Sequence, residues 1–339
     1  MPDSNGYWID IGFRPGKATA DIRFRRFRGA EDFSTMSDIC VKSWKADQVD
    51  YLKTREDFEN EFKHDPEGDP TKDLLFALAN SREVGFAVMS VLKKSHEEIK
   101  CFQYVHLLPE HRGEGIREVL LRYNEKTLRQ AVSDRPETER VFESWSSSDQ
   151  NDWRDILIQE GYKPTWHLFE MVRPNLDDVP DIPLPEGATV RPIKEEDYRK
   201  VWDASKKVFR GQPWGSDEMW DEAHYEQWLS SPTFNPDLWQ IAWDGNEIVG
   251  SVQSFIDEDE NRELGRSRGH TERIFVAPSW RGKGLAKSLI ARSLRLLKEQ
   301  GMTDATLDTE EANVHQAYKV YERMGYRVVK QFTFYQKPL

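Results

Sequence analysis

Short apolar runs bounded by polar turns alternate along this chain with longer stretches whose apolar residues recur at helical spacing. Ile274-Phe275-Val276 is one such run. After a glycine-bearing loop, Leu285 to Lys298 places apolar residues at 285, 289, 290, 294 and 297, one face of an amphipathic helix. Around them the order reads strand, helical region, two strands joined by a short polar turn, another strand, the long helix, a strand, a second helix and terminal strands. That order predicts an α/β fold built on a mixed sheet.

The same order occurs twice. Gly29 to Phe33 matches Lys194 to Tyr198, and Val84-Gly85 matches Val249-Gly250. Leu108 to Gly115 matches Ala277 to Gly284, and Gly161-Tyr162 matches Gly325-Tyr326, all at a nearly constant offset. Between the copies, Arg173 to Gly187 carries prolines at 174, 180, 183 and 185, which favour an extended spacer. The expected organisation is an N-terminal extension over 1–18, a first domain over 19–173, a linker over 174–187 and a second domain over 188–339. A length of 339 residues lets each copy bury its own core.

Composition narrows the partners. The net charge of -12 argues against general affinity for nucleic acid, which needs a basic surface. No apolar run is long enough to span a membrane and Met1 to Asp10 lacks a signal-like pattern, so a cytoplasmic location is expected. Cys40 and Cys101 have no CxxC spacing and read as reduced, buried thiols. The eight histidines form no metal-ligand spacing, so no metal is expected.

Against this acidic background, Arg281-Gly282-Lys283-Gly284-Leu285-Ala286 stands between an apolar strand and a helix, with Lys287 following. Glycines allow close backbone approach, the first helical N–H groups lack partners, and the cations add charge, which together make an anion site. A Walker loop fails on spacing, and the dinucleotide pattern G-x-G-x-x-G is absent.

Arg281-x-x-Gly284-x-Ala286 resembles the acetyl-CoA motif of the GNAT superfamily of N-acetyltransferases, and Asn313 to Tyr326 resembles the family's N-x-x-A-x-x-x-Y-x-x-x-G-[F/Y] segment. The doubled pattern resembles the family's tandem-domain members. The resemblance implies acetyl-CoA as cosubstrate, its pantetheine arm along Ile274, Phe275 and Val276, and its pyrophosphate on Arg281, Gly282, Lys283, Gly284, Leu285, Ala286 and Lys287, with Asn313 as a further contact. Tyr321 matches the tyrosine that protonates the departing sulfur. Glu272 is the first candidate base and His270 the second, both placed on the face of Ile274 by period-two counting. A small-molecule primary amine is the expected acceptor; a protein or peptide amine, or a non-catalytic acyl-CoA-binding role, are the alternatives.

By the offset of the glycine loops Glu272 falls on Gln103, His270 on Cys101 and Ala286 on Arg117, and, counting back four from the matched Gly161 and Gly325, Tyr321 falls on Leu157, so the first copy is expected to be catalytically degenerate, although Arg112 to Gly115 could still hold a CoA-like ligand. Pro213 to Trp228, rich in tryptophan and acids, reads either as a wall for a cationic amine or as an amphipathic helix.

Overall fold

The computed structural model describes residues 8–12, 16, 21–64, 68–95, 97–210, 212, 218–311 and 317–339. The chain divides into two compact units, and the division is not linear. The first unit combines Met1–Thr165 with Ser216–Pro232 and Thr333–Leu339; the second combines Trp166–Gly215 with Thr233–Phe332.

In the first unit β1 (Trp8–Ile9), β2 (Ile22–Arg26), β3 (Leu74–Ala79), β4 (Arg82–Lys93), β5 (Glu98–Leu107) and β6 (Glu139–Ser147) lie side by side in that order. All six residues of β3 are buried, as a strand covered on both faces requires. Helix α1 (Glu31–Ala46) buries Phe33, Met36, Ile39, Cys40 and Trp44, a stripe at helical spacing. Helices α2 (Arg55–His64), α3 (Pro70–Asp73), α4 (Ile116–Ala131) and α5 (Asn151–Gln159) complete this part of the chain. Only Glu98–Phe102 of β5 pairs with β6, in parallel; beyond that the two strands continue unpaired with each other.

The second unit takes β7 (Lys163–Arg173) from Trp166 onward, then β8 (Thr189–Val190), α6 (Tyr198–Phe209), β9 (Trp239–Asp244), β10 (Glu247–Ile256) and α8 (Glu258–Leu264). It continues through β11 (Arg268–Val276), α9 (Leu285–Glu299), β12 (Asp304–Glu310), α10 (Ala317–Arg323) and the first part of β13 (Arg327–Pro338). Strand β7 pairs antiparallel with β12, Leu168 to Arg173 against Glu310 to Ala305. The final strand of the first repeat is thus a strand of the second unit. The chain's end serves the first unit: Leu339 N–H donates to Arg140 O at 3.1 Å and Lys337 Nζ to Glu125 at 2.8 Å.

Two sequence expectations change here. Helix α7 (Glu222–Leu229) does not join the second unit; it packs on α2, with Asn60 Nδ2 donating to Gln227 O at 3.3 Å and Ser230 Oγ to Asn60 Oδ1 at 2.9 Å. Trp220 is buried there; Pro213 to Asp217 lie outside the described residues. The proline-rich stretch after Arg173 is extended but is no free spacer. Leu176 is buried, Ser288 Oγ of α9 donates to Pro183 O at 2.6 Å, and Arg295 Nη1 donates to Pro180 O at 2.9 Å. Its apolar residues Leu176, Val179, Ile182 and Leu184 join the core under α9, because leaving them in water costs more than the ordering of an already stiff segment.

Candidate functional site

Strand β11 decides the site's geometry. Its parallel pairing with β12 covers only Arg268 to His270 against Asp304 to Thr306, after which the two strands part and a wedge opens beside Thr271 to Val276. On its other edge β11 follows β10, with Gly250 opposite Val276 and Ser251 opposite Phe275, then Gln253 opposite Glu272 and Ser254 opposite Thr271. The register slips by one residue at Arg273, which sits at φ 47°, a β-bulge with one residue in the left-handed region.

The bulge overturns the period-two placement. A Cβ on Gly250, opposite Val276, would meet Leu289 and Leu285 of α9, and Ile274 and Val276 pack into the same core. Gln253, opposite Glu272, instead donates to Ser205 Oγ of α6 at 3.2 Å, and the Phe275 ring lies 5.9 Å from that of Phe209 on α6. Glu272 therefore shares a face with Phe275 and α6, opposite to Ile274. Arg273 lies over the Trp202 ring of α6 at 5.5 Å.

A cavity of about 620 Å³ opens between β11, the end of α6, the loop before α9, and α10. Ile274, Phe275, Val276, Arg281, Gly282, Gly284, Leu285, Ala286, Lys287 and Tyr321 all line it, so most of the sequence-predicted contacts converge on one space. Gly282 and Gly284 have φ of 76° and 88°, and a Cβ on either would meet nothing within 4 Å. They serve the turn and leave the space in front of it open. Gly284 caps α9 without a side chain and the first turn holds no acid, so the amides there are presented to the cavity with the positive end of the helix dipole. Lys283 is not among the lining residues; its Nζ sits 4.7 Å over the Trp280 ring. Asn313 lies outside the described residues.

Glu272 Oε1 accepts the Asp308 N–H at 3.1 Å across the wedge. Burial, reinforced by the Asp308 carboxylate, pushes the Glu272 carboxyl well above the usual range. Tyr321 is buried, and its hydroxyl is pushed up by that burial and then by the Glu272 charge. His270 sits elsewhere: its Nε2 is 3.2 Å from Glu260 Oε1 and its ring stacks on Phe255 at 4.4 Å. Neither Glu272 nor His270 lines the cavity itself. The sequence reading passed over Phe209, Ala317 and Val320. Ala317 lies four residues before Tyr321 and three before Val320 on α10, a spacing that could have found it.

The corresponding place in the first unit is filled. Arg112 makes a two-pronged ion pair with Asp47 at 2.7 and 3.0 Å, and buried Arg117 reaches Asp152 at 2.7 Å beside the Trp153 ring. Gln150 bridges Asp47 and the Tyr104 hydroxyl at 2.8 and 2.7 Å. Strand β5 follows β4 without a slip from Leu107 to Ile99, so β11 holds one residue more. Three positions beyond the matched glycines, Val88 faces Tyr104 where Gln253 faces Glu272. Tyr104, not Gln103, is therefore the counterpart of Glu272, and Phe102, not Cys101, that of His270. Gln103 instead bonds the Tyr162 hydroxyl, as Thr271 Oγ1 bonds the Tyr326 hydroxyl at 2.7 Å. Cys40 and Cys101 are free and buried.

Residues 196–326 match the model of the Acetyltransferase (GNAT) family. A mycothiol acetyltransferase of Geodermatophilus obscurus is 26% identical over 223 residues, 64% of this chain and 68% of that protein. Among solved structures, a GCN5-related N-acetyltransferase from Sphaerobacter thermophilus is similar with a TM-score of 0.68 at 20% identity, covering 94% of this chain and 95% of that one. A tandem GNAT protein from the clavulanic acid biosynthesis pathway is similar with a TM-score of 0.66 at 13% identity, covering 94% and 98%.

Proposed function

We propose that the chain, whose residues 196–326 match the GNAT acetyltransferase family, is an acetyltransferase whose second unit moves the acetyl group of acetyl-CoA to a primary amine on a small molecule. The observation that carries the reading is the convergence of the glycine loop, the uncapped start of α9, the bulged edge of β11 and Tyr321 on one cavity of about 620 Å³. The similarity to a protein named mycothiol acetyltransferase favours a small-molecule acceptor.

Acetyl-CoA supplies the activated thioester. The amides from Gly282 to Lys287, with Arg281 and Lys287 at the rim, would hold its pyrophosphate, and the open space in front of both glycines fits that group. The edge of β11 from Ile274 to Val276 would take the pantetheine arm as an added strand, with the Ile274 N–H facing the oxygen on which charge develops. Glu272 takes the proton from the amine nitrogen as the N–C bond forms. Tyr321 gives its proton to sulfur as the C–S bond breaks, and solvent returns a proton from Glu272 to the phenolate. A base raised above the ordinary carboxylate range is closer to an amine in proton affinity, which makes the first transfer easier.

The test is release of free thiol from acetyl-CoA with a panel of primary amines. Glu272→Gln is expected to remove most turnover while CoA still binds. Tyr321→Phe is expected to lower kcat by roughly 10² to 10⁴ with little change in CoA affinity. Near-normal turnover in Tyr321→Phe would reduce that residue to packing, and full turnover in Glu272→Gln would remove the base.

A further inference from the structure

Gln253 lies on β10 directly opposite Glu272, and side chains so placed on one face of a sheet have Cβ atoms about 4.5–5.5 Å apart. It is 4% exposed. Its Nε2 donates to Ser205 Oγ at 3.2 Å and to Ser251 Oγ at 3.3 Å, whereas its Oε1 is buried with no hydrogen-bond partner among the described residues. A buried amide oxygen left in that state is costly, of the order of 1–3 kcal/mol, unless some state of the molecule satisfies it.

The amide's orientation follows from its neighbour. Ser205 Oγ donates its one proton to Val201 O at 3.0 Å. Toward Gln253 it can then only accept, which requires the NH₂ end to face it and leaves Oε1 on the other side. A carbonyl oxygen beside a carboxylate repels its charge; beside a carboxylic acid it accepts the proton in a hydrogen bond.

We propose that Gln253 is a positioning residue for Glu272, its Oε1 accepting the carboxyl proton each time Glu272 has taken one from the amine. The assignment rests on Glu272 being the base. The covalent balance of acetyl transfer is unchanged: the proton stays on Glu272, and Gln253 holds the protonated carboxyl in place until solvent removes it. The other titratable or charged groups acting with Glu272 are Asp308 on β12, Arg273 beside it on β11, Tyr321 on α10, and Tyr326.

The experiment reads the carboxyl directly. Infrared titration of the full chain, with Glu272→Gln identifying the band, should show the protonated carboxyl of Glu272 persisting above the ordinary glutamate range. In Gln253→Met its titration should move down by about one pH unit, the equivalent of one hydrogen bond, and the band should shift to the higher frequency of a weaker bond. The same variant should lose about tenfold in kcat with acetyl-CoA and the amine panel, leaving the KM for acetyl-CoA unchanged. Ser205→Ala, which frees the amide to turn over while removing one oxygen atom, should move the titration in the same direction by less and serves if Gln253→Met does not fold. An unmoved titration overturns the proposal, and an upward movement means the NH₂ end faces Glu272 instead. Failure of the wild type to acetylate any amine would count against the acetyl-transfer reading alone, because the infrared titration still decides the pairing.

Discussion

Glu272 carries opposite consequences for chemistry and for stability. Its folded-state proton affinity is raised by burial and by Asp308, so its contribution to stability is present in full below the ordinary carboxylate range and is lost as pH rises through the raised value. Glu272→Gln should therefore melt at a higher temperature than the wild type at alkaline pH, with the difference shrinking toward about pH 4. Calorimetry across pH checks this, and a difference independent of pH would contradict the buried-acid description. In the wild type the acidic limb of kcat/KM should stand above the ordinary glutamate range, because activity rises as this carboxyl loses its proton. His270, held by Glu260 and stacked on Phe255, gives a contrast. His270→Gln should lower the melting temperature and leave that limb in place; a shifted limb would return His270 to candidacy as the base.

At the scale of the element, the loop before α9 does its work through backbone shape. Gly284 caps the helix at φ 88° with open space around the position of a Cβ. Gly284→Ala meets no neighbour in the folded chain, so its cost to stability is the left-handed backbone, about 1 kcal/mol. The same methyl would stand in the space proposed for the pyrophosphate. CoA affinity is expected to fall by more than stability does, at least tenfold, and calorimetric binding alongside thermal unfolding separates the two. Arg281→Glu should raise the KM for acetyl-CoA through charge at the same rim, an effect that salt weakens. Equal loss of stability and affinity in Gly284→Ala would mean that the loop matters only for the turn.

At the scale of the whole molecule, the two repeats share a fold and differ in what fills the cleft. Strands β5 and β6 part as β11 and β12 do, but Arg112 is committed to Asp47 and Arg117 stands against Asp152 and Trp153 where Ala286 leaves space. To bind CoA, the first unit would have to break these partly buried ion pairs, leaving the buried Asp47 and Arg117 without their mates. Native mass spectrometry should find one CoA per chain. Two would show that the first cleft empties readily. Among the described residues no helix is long and apolar enough to cross a membrane, and no group of three or more His, Cys, Asp and Glu could hold a metal.

The sequence by itself determined the mixed α/β fold, the doubled order of elements, the glycine loop from Arg281 to Ala286, and the mismatch at Arg117, because each depends on residues near one another along the chain. Local spacing fixes which helix face is apolar and where a glycine turn falls. Three matters were decided only by tertiary structure. The extra residue at Arg273 reversed the face of Glu272 relative to Ile274 and moved its counterpart from Gln103 to Tyr104, since counting by twos cannot register a bulge whose partner strand is remote in sequence. The strand after Trp166 and the helix at Glu222 were assigned to the opposite compact units from their own repeats, because strand partners and apolar helix faces are chosen by the surfaces they cover. Gln253 acquired its meaning solely from Glu272, Ser205 and Val201, three residues from two other elements that no period along β10 connects to it.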